Sequence, residues 1–287
     1  MEPAIVHPSG MWSWRGAEMR VSSLWALVAV FSIFLLISPQ AQAQSSRCVA
    51  IAQGVPGVQL ASLNTAQIGE DEVSITFVGH ATFLIESAAG VTIATDYAGY
   101  AGPGVIPTVV TMNGAHSTHY TSNPDPGIDH VLRGWSEVVG QRAEHYLPIE
   151  DVLIRNVTTD IRSGLGGVQY NGNSIFIFEV ADLCIGHLGH LHHALDPEHY
   201  ALIGQLDVVM APVDGGMTLD LPTMIDVLKN LRARIVIPMH FFGAGSLGAF
   251  VQGMSDVFAV QQYPVPTIKV SLKTMPAQPT VIVLPGY

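Results

Sequence analysis

Charge is scarce in this sequence, and basic charge is scarcer still. Only 12% of the 287 residues are charged, and 12 Lys and Arg stand against 23 Asp and Glu, which gives a formal net charge of -11. Because proteins bind nucleic acids through basic groups that neutralise phosphates, this balance argues against DNA or RNA as a partner. The hydrophobic content of 48% excludes a largely disordered chain and is enough for one large core or two modest ones.

Cysteine is limited to Cys48 and Cys184. In an oxidising compartment the two could pair, but a disulfide requires a specific geometry that the sequence does not supply. Cys48 lies in a predicted tail and Cys184 in a predicted core strand, so we predict two unpaired thiols.

Two common catalytic motifs are absent as well. The sequence has no G-x-S-x-G, and the glycine-rich stretch at residues 163–167 does not have the P-loop pattern. A serine nucleophile at such an elbow and a P-loop phosphate site are therefore not predicted.

Long apolar runs are represented by one segment, Leu24 to Ile37. Its 14 residues are fewer than the roughly 20 of a membrane-spanning helix and match the core of a signal peptide, about 7 to 15 residues. Arg15 and Arg20 precede the run, and the segment SPQAQA at 38–43 places small residues, Ala41 and Ala43, at the two positions that a signal peptidase reads. We predict a signal peptide over residues 1–43 and hence an exported, periplasmic or secreted protein. The alternative is an uncleaved N-terminal segment that holds the protein to the membrane.

Beyond this segment the sequence becomes strand-rich. Residues 44–70 lack periodicity and are predicted to be a linker or an N-terminal arm, and residues 71–287 are predicted to be the folded domain. Short runs of β-branched and aromatic residues predict strands in the first half, and helices alternate with strands in the second. This order indicates a mixed α/β fold, with two sheets packed face to face and helices outside. The predicted strands are 73–78, 82–86, 91–95, 106–111, 151–157, 174–179, 183–186, 208–211, 235–238, 267–272 and 280–284, and the predicted helices are 196–204, 221–234 and 246–257.

Histidines follow many of these strands. Because α/β folds place their sites at strand ends on one edge of a sheet, we expect several imidazoles to converge there. Imidazole is the commonest metal ligand among side chains, and such a group would bind Zn²⁺. The alternatives are surface loop histidines, a capped strand end, and a metal-sequestering tract at residues 187–193. The histidines concerned are His80, His116, His119, His187, His190, His192, His193 and His240.

A set of ordered segments resembles the metallo-β-lactamase-fold hydrolases, in particular their lactonase-like branch. The resemblance covers residues 73–287 and implies a four-layer αββα sandwich with one or two Zn²⁺ at the sheet edge. It also implies a Zn-bound hydroxide that attacks a small-molecule ester, lactone, amide or phosphodiester. The segments are VGHATFLIE at 78–86, IATD at 93–96, the histidine-containing loop at 114–119, HLGHLHH at 187–193, MAPVDGG at 210–216 and IPMH at 237–240.

The metal-binding motif of this chain departs from the family pattern. The family loop H-x-H-x-D-H reads GAHSTH at residues 114–119, so Gly114 replaces the first histidine and Thr118 replaces the aspartate. His190 stands where relatives carry the carboxylate that bridges two metals. Because imidazole does not bridge two ions as a carboxylate does, one ion is favoured over two, with Zn²⁺ first and Mn or Fe as alternatives.

The resemblance also suggests roles for individual residues. The expected metal ligands are His116, His119, His190 and His240. Asp160, in a loop predicted to follow the strand at 151–157, could replace a missing ligand, and Asp160 or His187 could move a proton. His80, Asp96 and Asp214 are expected to hold the ligands in orientation from behind; the alternatives are that His80 and Asp96 only cap strands and that Asp214 only forms a turn.

The sequence therefore leads to an exported metal-dependent hydrolase as the first hypothesis. The second is a binding or scaffold protein that keeps the sandwich and has lost the metal, because Gly114 and Thr118 replace two usual ligands. The third is zinc storage by the histidines at residues 187–193.

Overall fold

Two β-sheets packed face to face form the centre of the protein in the computed structural model, which describes residues 46–52, 68–138, 140–164 and 166–286. The predicted signal peptide and most of the predicted linker lie outside the described residues. The first sheet contains β1 (Val73–Gly79), β2 (Thr82–Glu86), β3 (Thr92–Ala94), β4 (Val109–Met112), β5 (His130–Arg133) and β13 (Thr267–Val270), in the order β13-β1-β2-β3-β4-β5.

The second sheet has eight strands in the order β12-β14-β11-β10-β9-β8-β7-β6. They are β6 (Tyr146–Ile149), β7 (Val152–Arg162), β8 (Val168–Val180), β9 (Leu183–His187), β10 (Val208–Pro212), β11 (Ile235–Met239), β12 (Ala259–Gln262) and β14 (Thr280–Val283). The helices are α1 (Arg47–Ala52), α2 (Pro197–Ile203), α3 (Leu221–Leu231) and α4 (Ala244–Met254). None of the helices in the described ranges has the length and apolarity needed to cross a membrane.

Successive side chains of a strand point to opposite faces of its sheet and so contribute to two separate clusters of the core. On β8, Phe176 and Phe178 belong to the cluster between the two sheets, whereas Ile175 and Ile177 belong to the cluster beneath the helices. This alternation follows from the two-residue period of a strand whose two faces are both covered. The predicted α/β sandwich is confirmed.

Helix α3 shows how the second sheet is covered. Asp220 caps its first turn by accepting a hydrogen bond from the Thr223 N–H, and a proline in that turn has no N–H to leave unpaired. The helix buries Met224, Val227, Leu228 and Leu231 against the sheet. On the outer face of the first sheet, Ala94, Val110 and Met112 pack instead against irregular chain that includes Tyr97 and Ile128.

The prediction of two unpaired thiols is wrong, because Cys48 and Cys184 form a disulfide with their Cα atoms 5.8 Å apart. Both cysteines are buried. The arm at residues 46–52 lies on the domain: the Arg47 N–H donates to Glu179, and the Gln205 N–H donates to the Cys48 carbonyl. This docking brings Cys48 to β9, a placement that depends on tertiary contacts and not on local sequence.

Both sheets contain strands that differ from the prediction. β5, β6 and β12 were not predicted, and β7 continues past residue 157 to Arg162. The extension pairs with β8 and is polar at every position except Ile161, so it does not have the continuous apolar pattern on which the prediction was based. The loop predicted at residues 158–161 is therefore part of a strand.

Candidate metal centre

The candidate site lies at the edge where the parallel strands of both sheets end. β3 and β4 run parallel in the first sheet, and β9, β10 and β11 run parallel in the second. Their carboxyl ends therefore meet at common edges, which is where α/β folds place ligand sites. His119 follows β4, His190 follows β9 and His240 follows β11, so residues distant in sequence come together.

Four imidazoles converge at this edge. One nitrogen from each of His116, His119, His190 and His240 lies within 4.8 Å of those of the other three. His119, His190 and His240 are buried, and His116 is partly exposed. The structure thus brings together the four residues predicted as metal ligands.

A buried carboxylate orients His119. The Nδ1 of His119 lies 2.5 Å from the Asp96 Oδ2, and the other carboxylate oxygen accepts a hydrogen bond of 2.7 Å from the Asn113 side chain. Burial raises the pKa of Asp96, but the electrostatic interaction and the hydrogen bond with His119 outweigh it, so the pKa lies below its ordinary value. Because the ionised carboxylate accepts the Nδ1 proton, Nε2 of His119 presents its lone pair, and it is buried without a partner among the described residues.

His240 is held in the same way by Asp214. Its Nδ1 lies 3.0 Å from the Asp214 Oδ2, and the Oδ1 of Asp214 accepts hydrogen bonds from the N–H groups of residues 216 to 218. Burial raises the pKa of Asp214, but hydrogen bonds from His240 and Thr218 lower it by more than burial raises it. The pKa of Asp214 therefore lies well below its ordinary value. Asp214 is therefore both a turn residue and the partner of His240. The Nε2 of His240 is also buried and has no partner in the described part of the chain.

His190 and His116 contact each other directly. Their Nε2 atoms lie 2.9 Å apart, and the Nδ1 of His190 lies 2.6 Å from the Nε2 of His192. Burial, followed by the neighbouring His119, lowers the pKa of both His190 and His116. Both rings are therefore neutral at pH 7 and can offer lone pairs.

The loop that carries His190 requires glycine at position 189. Gly189 has a φ of +60°, and a Cβ there would lie 2.4 Å from side-chain atoms of Asn113 and Asn173. The Asn173 side chain accepts a hydrogen bond of 2.7 Å from the His190 N–H. These contacts fix the backbone of His190 against β8.

Thr118 bridges two histidines. Its hydroxyl oxygen lies 2.7 Å from the Nδ1 of His116 and 2.8 Å from the Nε2 of His80. The His80 ring lies 4.3 Å from the ring of His240, and burial, with His240 as the next cause, lowers its pKa to about 4. His80 is therefore placed beside the cluster and contacts it through Thr118.

Three of these residues hold unusual backbone conformations. His80, Asp96 and His240 have φ values of 53°, 42° and 52°, in the left-handed region that non-glycine residues rarely occupy. The His240 N–H donates to the His80 carbonyl at 2.7 Å and links two of these turns. Strained residues of this kind concentrate at functional sites, where surrounding contacts fix them.

Two predicted proton-transfer residues lie outside the cluster. Asp160 is inside β7, at a β-bulge, and its carboxylate accepts a hydrogen bond from the Asn171 N–H, so it neither follows a strand nor joins the four imidazoles. His187 is fully buried; its Nε2 bonds the Ala81 carbonyl and its Nδ1 accepts from the Gly189 N–H. Since both ring nitrogens of His187 are used inside the protein, the structure does not support a role as proton shuttle.

Two supporting residues, Asn113 and Asn173, were not predicted, and His192 was named without a role of its own. Asn113 and Asn173 hold Asp96 and the His190 backbone, and His192 contacts His190. Asn113 directly follows β4, and a buried polar residue at a strand end would have been a usable signal. Asn173 lies inside β8, where the sequence gives no indication of its contacts.

The donor set fits a divalent cation that prefers nitrogen ligands. The buried Nε2 atoms of His119 and His240 are costly without a partner, and the carboxylates behind these rings are the usual outer partners of metal-binding histidines. Neutral imidazoles suit Zn²⁺ and similar transition metals better than Mg²⁺ or Ca²⁺.

Removing the Thr118 hydroxyl is expected to weaken cation binding. In Thr118→Val, the Nδ1 of His116 loses its fixed partner, and we expect the affinity for Zn²⁺ to fall about tenfold, the lower end for loss of an outer partner. Isothermal titration of the metal-free protein measures this change. Thr118→Ser keeps the hydroxyl and should bind as the wild type does; equal affinities for all three proteins would refute the role of Thr118.

Acid is expected to destabilise the metal-free protein. Burial, followed by His240 for His80 and by Arg162 for His192, lowers the pKa of both histidines from 6.5 to about 4. The unfolded chain therefore takes up protons first, and stability is lost as the pH falls from about 6.5 towards 4. Melting temperatures of chelator-treated protein across this range test it, and the double variant His80→Gln, His192→Gln should show a shallower fall. Identical slopes in both proteins would contradict the assignment.

Comparison with known proteins identifies the family. A family profile described as "Beta-lactamase superfamily domain" matches residues 74–240, more than half of the chain. The chain belongs to the metallo-β-lactamase superfamily. The matched region runs from β1 to His240 and so includes all four histidines of the cluster.

The relatives have low sequence identity to this chain, but they match it over most of their own length. A UPF0173 protein of Pyrococcus abyssi is 28% identical over 193 residues, 62% of this chain and 89% of the relative. A UPF0173 metal-dependent hydrolase of Pyrococcus horikoshii is 25% identical over 193 residues, which cover 59% of this chain and 84% of the relative. The crystal structure of a metallo-β-lactamase superfamily protein of Thermotoga maritima superposes with a TM-score of 0.54 at 26% identity, covering 74% of this chain and 97% of the other.

Proposed function

We propose that this superfamily member is a metal-dependent hydrolase of small molecules that uses one divalent cation, in the first place Zn²⁺, at the four-histidine cluster. The observation that carries the proposal concerns the Nε2 atoms of His119 and His240. Both are buried, have no partner among the residues that the structure describes, and are each backed by an ionised carboxylate. The name of the Pyrococcus horikoshii relative, a metal-dependent hydrolase, supports the same reaction class.

A cation held there would supply a Lewis acid and would lower the pKa of a water molecule to about 7. The protein's own groups prepare the site for it. Asp96 and Asp214 keep the protons of His119 and His240 on Nδ1, so that both Nε2 lone pairs face the cluster. Asn113 fixes Asp96, and the three backbone N–H groups of residues 216 to 218 fix Asp214. These contacts preorganise the ligands before any cation binds.

Phe242 gives the site an apolar rim. Its side chain is 64% exposed, and its ring lies 5.1 Å from that of His240 and 5.7 Å from that of His80. An exposed aromatic ring beside the cluster can pack against the nonpolar part of a substrate. This favours esters, lactones, amides or phosphodiesters that carry an apolar group.

A substrate screen tests the hydrolase proposal. Protein loaded with Zn²⁺ or Mn²⁺ is assayed with chromogenic esters, lactones, amides and phosphodiesters, in parallel with His240→Gln as the inactive control. We expect turnover of at least one class that is abolished in His240→Gln and by a chelator. Stoichiometric cation binding without turnover of any class would instead favour a binding protein.

We propose further that the protein is exported with removal of residues 1–43. The short apolar run from Leu24 to Ile37 and the Cys48–Cys184 disulfide support this, because structural disulfides form in oxidising compartments. Mass spectrometry of the protein from its native host should give an N-terminus at Gln44. An intact N-terminus in the membrane fraction would show that the segment is an anchor.

A further inference from the structure

A directed chain of hydrogen bonds crosses the four-histidine cluster, and its direction decides which ring nitrogens carry protons. Every link in it is 2.9 Å or shorter. The chain begins at the backbone N–H of Arg162. It then passes, in order, through the side chains of His192, His190, His116, Thr118 and His80.

The direction is set where the chain begins. A backbone N–H can only donate, and that of Arg162 lies 2.6 Å from the Nδ1 of His192. The Nδ1 of His192 is therefore an acceptor, and the single proton of the neutral ring is on Nε2. That Nε2–H donates to the Nδ1 of His190, 2.6 Å away. His190 in turn must carry its own proton on Nε2.

The remaining hydrogen bonds, from His190 to His80, have the same direction. The Nε2–H of His190 donates to the Nε2 of His116 at 2.9 Å, so His116 carries its proton on Nδ1. This Nδ1–H donates to the Thr118 oxygen, and the Thr118 hydroxyl donates to the Nε2 of His80. Each group between the two ends donates once and accepts once. The opposite direction would place a proton on the Nδ1 of His192, facing the N–H of Arg162.

The position of the ring proton distinguishes His190 from His116, His119 and His240. His119 and His240 donate from Nδ1 to Asp96 and Asp214, and His116 donates from Nδ1 to Thr118, so all three present an Nε2 lone pair. His190 alone of the four presents an Nε2–H. A protonated nitrogen cannot be a metal ligand.

We propose that His116, His119 and His240 are the ligands of the cation and that His190 is a hydrogen-bond donor to the substrate. This inference rests on the proposed metal-dependent hydrolase. A cation on the Nε2 of His116 would take the lone pair that accepts from His190, so the Nε2–H of His190 would be left without its acceptor. It could then donate to the carbonyl or phosphoryl oxygen of a bound ester or phosphodiester, where charge develops during hydrolysis.

The tautomers can be read directly in the metal-free protein. Long-range ¹H–¹⁵N spectra of the full folded domain distinguish a histidine protonated on Nε2 from one protonated on Nδ1. We expect the Nε2–H form for His190 and His192 and the Nδ1–H form for His116, His119 and His240. A His190 ring protonated on Nδ1 would overturn the proposal.

Coordination of an added cation provides a second readout that does not depend on activity. X-ray absorption of the Zn²⁺-loaded protein should count three imidazole ligands in the wild type and three in His190→Gln, whose affinity for Zn²⁺ should fall less than about tenfold. His116→Gln should lose one imidazole and more than about 100-fold in affinity, beyond the range for an outer partner. His130→Gln, on β5, is the matched control and should match the wild type. Circular dichroism confirms that each variant is folded.

The outcomes distinguish this inference from the function on which it rests. Four imidazoles in the wild type and three in His190→Gln would overturn the donor role of His190 and leave the metal-dependent hydrolase standing. Absence of Zn²⁺ uptake by the folded wild type would overturn both. The predicted coordination with unchanged kcat in His190→Gln would likewise reject the donor role, because a substrate donor acts on the transition state.

Discussion

Replacing His119 with alanine is expected to abolish the function of the site. The substitution removes one of the two buried Nε2 atoms that have no partner in the described ranges. It also leaves the carboxylate of Asp96, buried at 0% exposure, without its imidazole partner. We expect the affinity for Zn²⁺ to fall by more than about 100-fold, which exceeds the usual cost of losing an outer partner. Hydrolysis at a fixed Zn²⁺ concentration should fall at least as far.

Asp96→Asn separates the two contributions within this pair. The amide keeps the shape of the carboxylate but no longer fixes the proton of His119 on Nδ1. We expect a smaller loss, about 10- to 100-fold in cation affinity. His130→Gln, a histidine outside the cluster, should bind as the wild type does. If His119→Ala bound Zn²⁺ as tightly as Asp96→Asn, His119 would not be a ligand.

Removing the disulfide is expected to cost much of the stability of the domain. The bond joins residues separated by 136 positions, so it restricts the unfolded chain strongly, and loss of a native disulfide typically costs about 2–5 kcal/mol. We expect this loss in the double variant Cys48→Ser, Cys184→Ser, measured as the free energy of unfolding in urea. Cys48→Ser alone should lose a similar amount, since either change removes the bond.

A reductant provides the control for the disulfide. Dithiothreitol should destabilise the wild type towards the level of the double variant and should leave the double variant unchanged. The cation stoichiometry should stay the same in all these proteins, because the disulfide lies at Cys184 and not at the cluster. A wild type whose unfolding is insensitive to complete reduction would show that the arm at residues 46–52 contributes no stability through this bond.

The convergence of the four histidines could be predicted because it follows from strand ends. His119, His190 and His240 each come soon after a β-strand, and the carboxyl ends of parallel strands lie on one edge whatever the details of packing. The resemblance to metallo-β-lactamase-fold hydrolases supplied the expectation of a metal site at this sheet edge. The two-sheet sandwich follows from the same information.

The positions of Asp160 and His187, the two residues predicted to transfer protons, could not be derived from strand ends. Asp160 was placed in a loop because β7 becomes polar beyond residue 157, although pairing with β8 keeps that part extended. His187 is the last residue of β9, and the sequence does not show that its ring faces the Ala81 carbonyl. Side-chain partners of this kind depend on which strand lies opposite.

The disulfide and the asparagines show the same limit. Cys48 reaches Cys184 only because the arm docks through Glu179 and residue 205, which are far away in sequence. Asn113 and Asn173 are ordinary polar residues until the two sheets bring them to Asp96 and His190. Local patterns locate strands and their ends, whereas the partners of buried polar groups are set by tertiary contacts.

Anomalous X-ray diffraction at the zinc edge, on crystals of the domain grown with equimolar Zn²⁺, tests the central claim most directly. The account predicts one strong anomalous peak, bonded to the Nε2 atoms of His119 and His240 at about 2.0–2.1 Å. A peak elsewhere, or an empty cluster in a protein with intact His119–Asp96 and His240–Asp214 pairs, would contradict it.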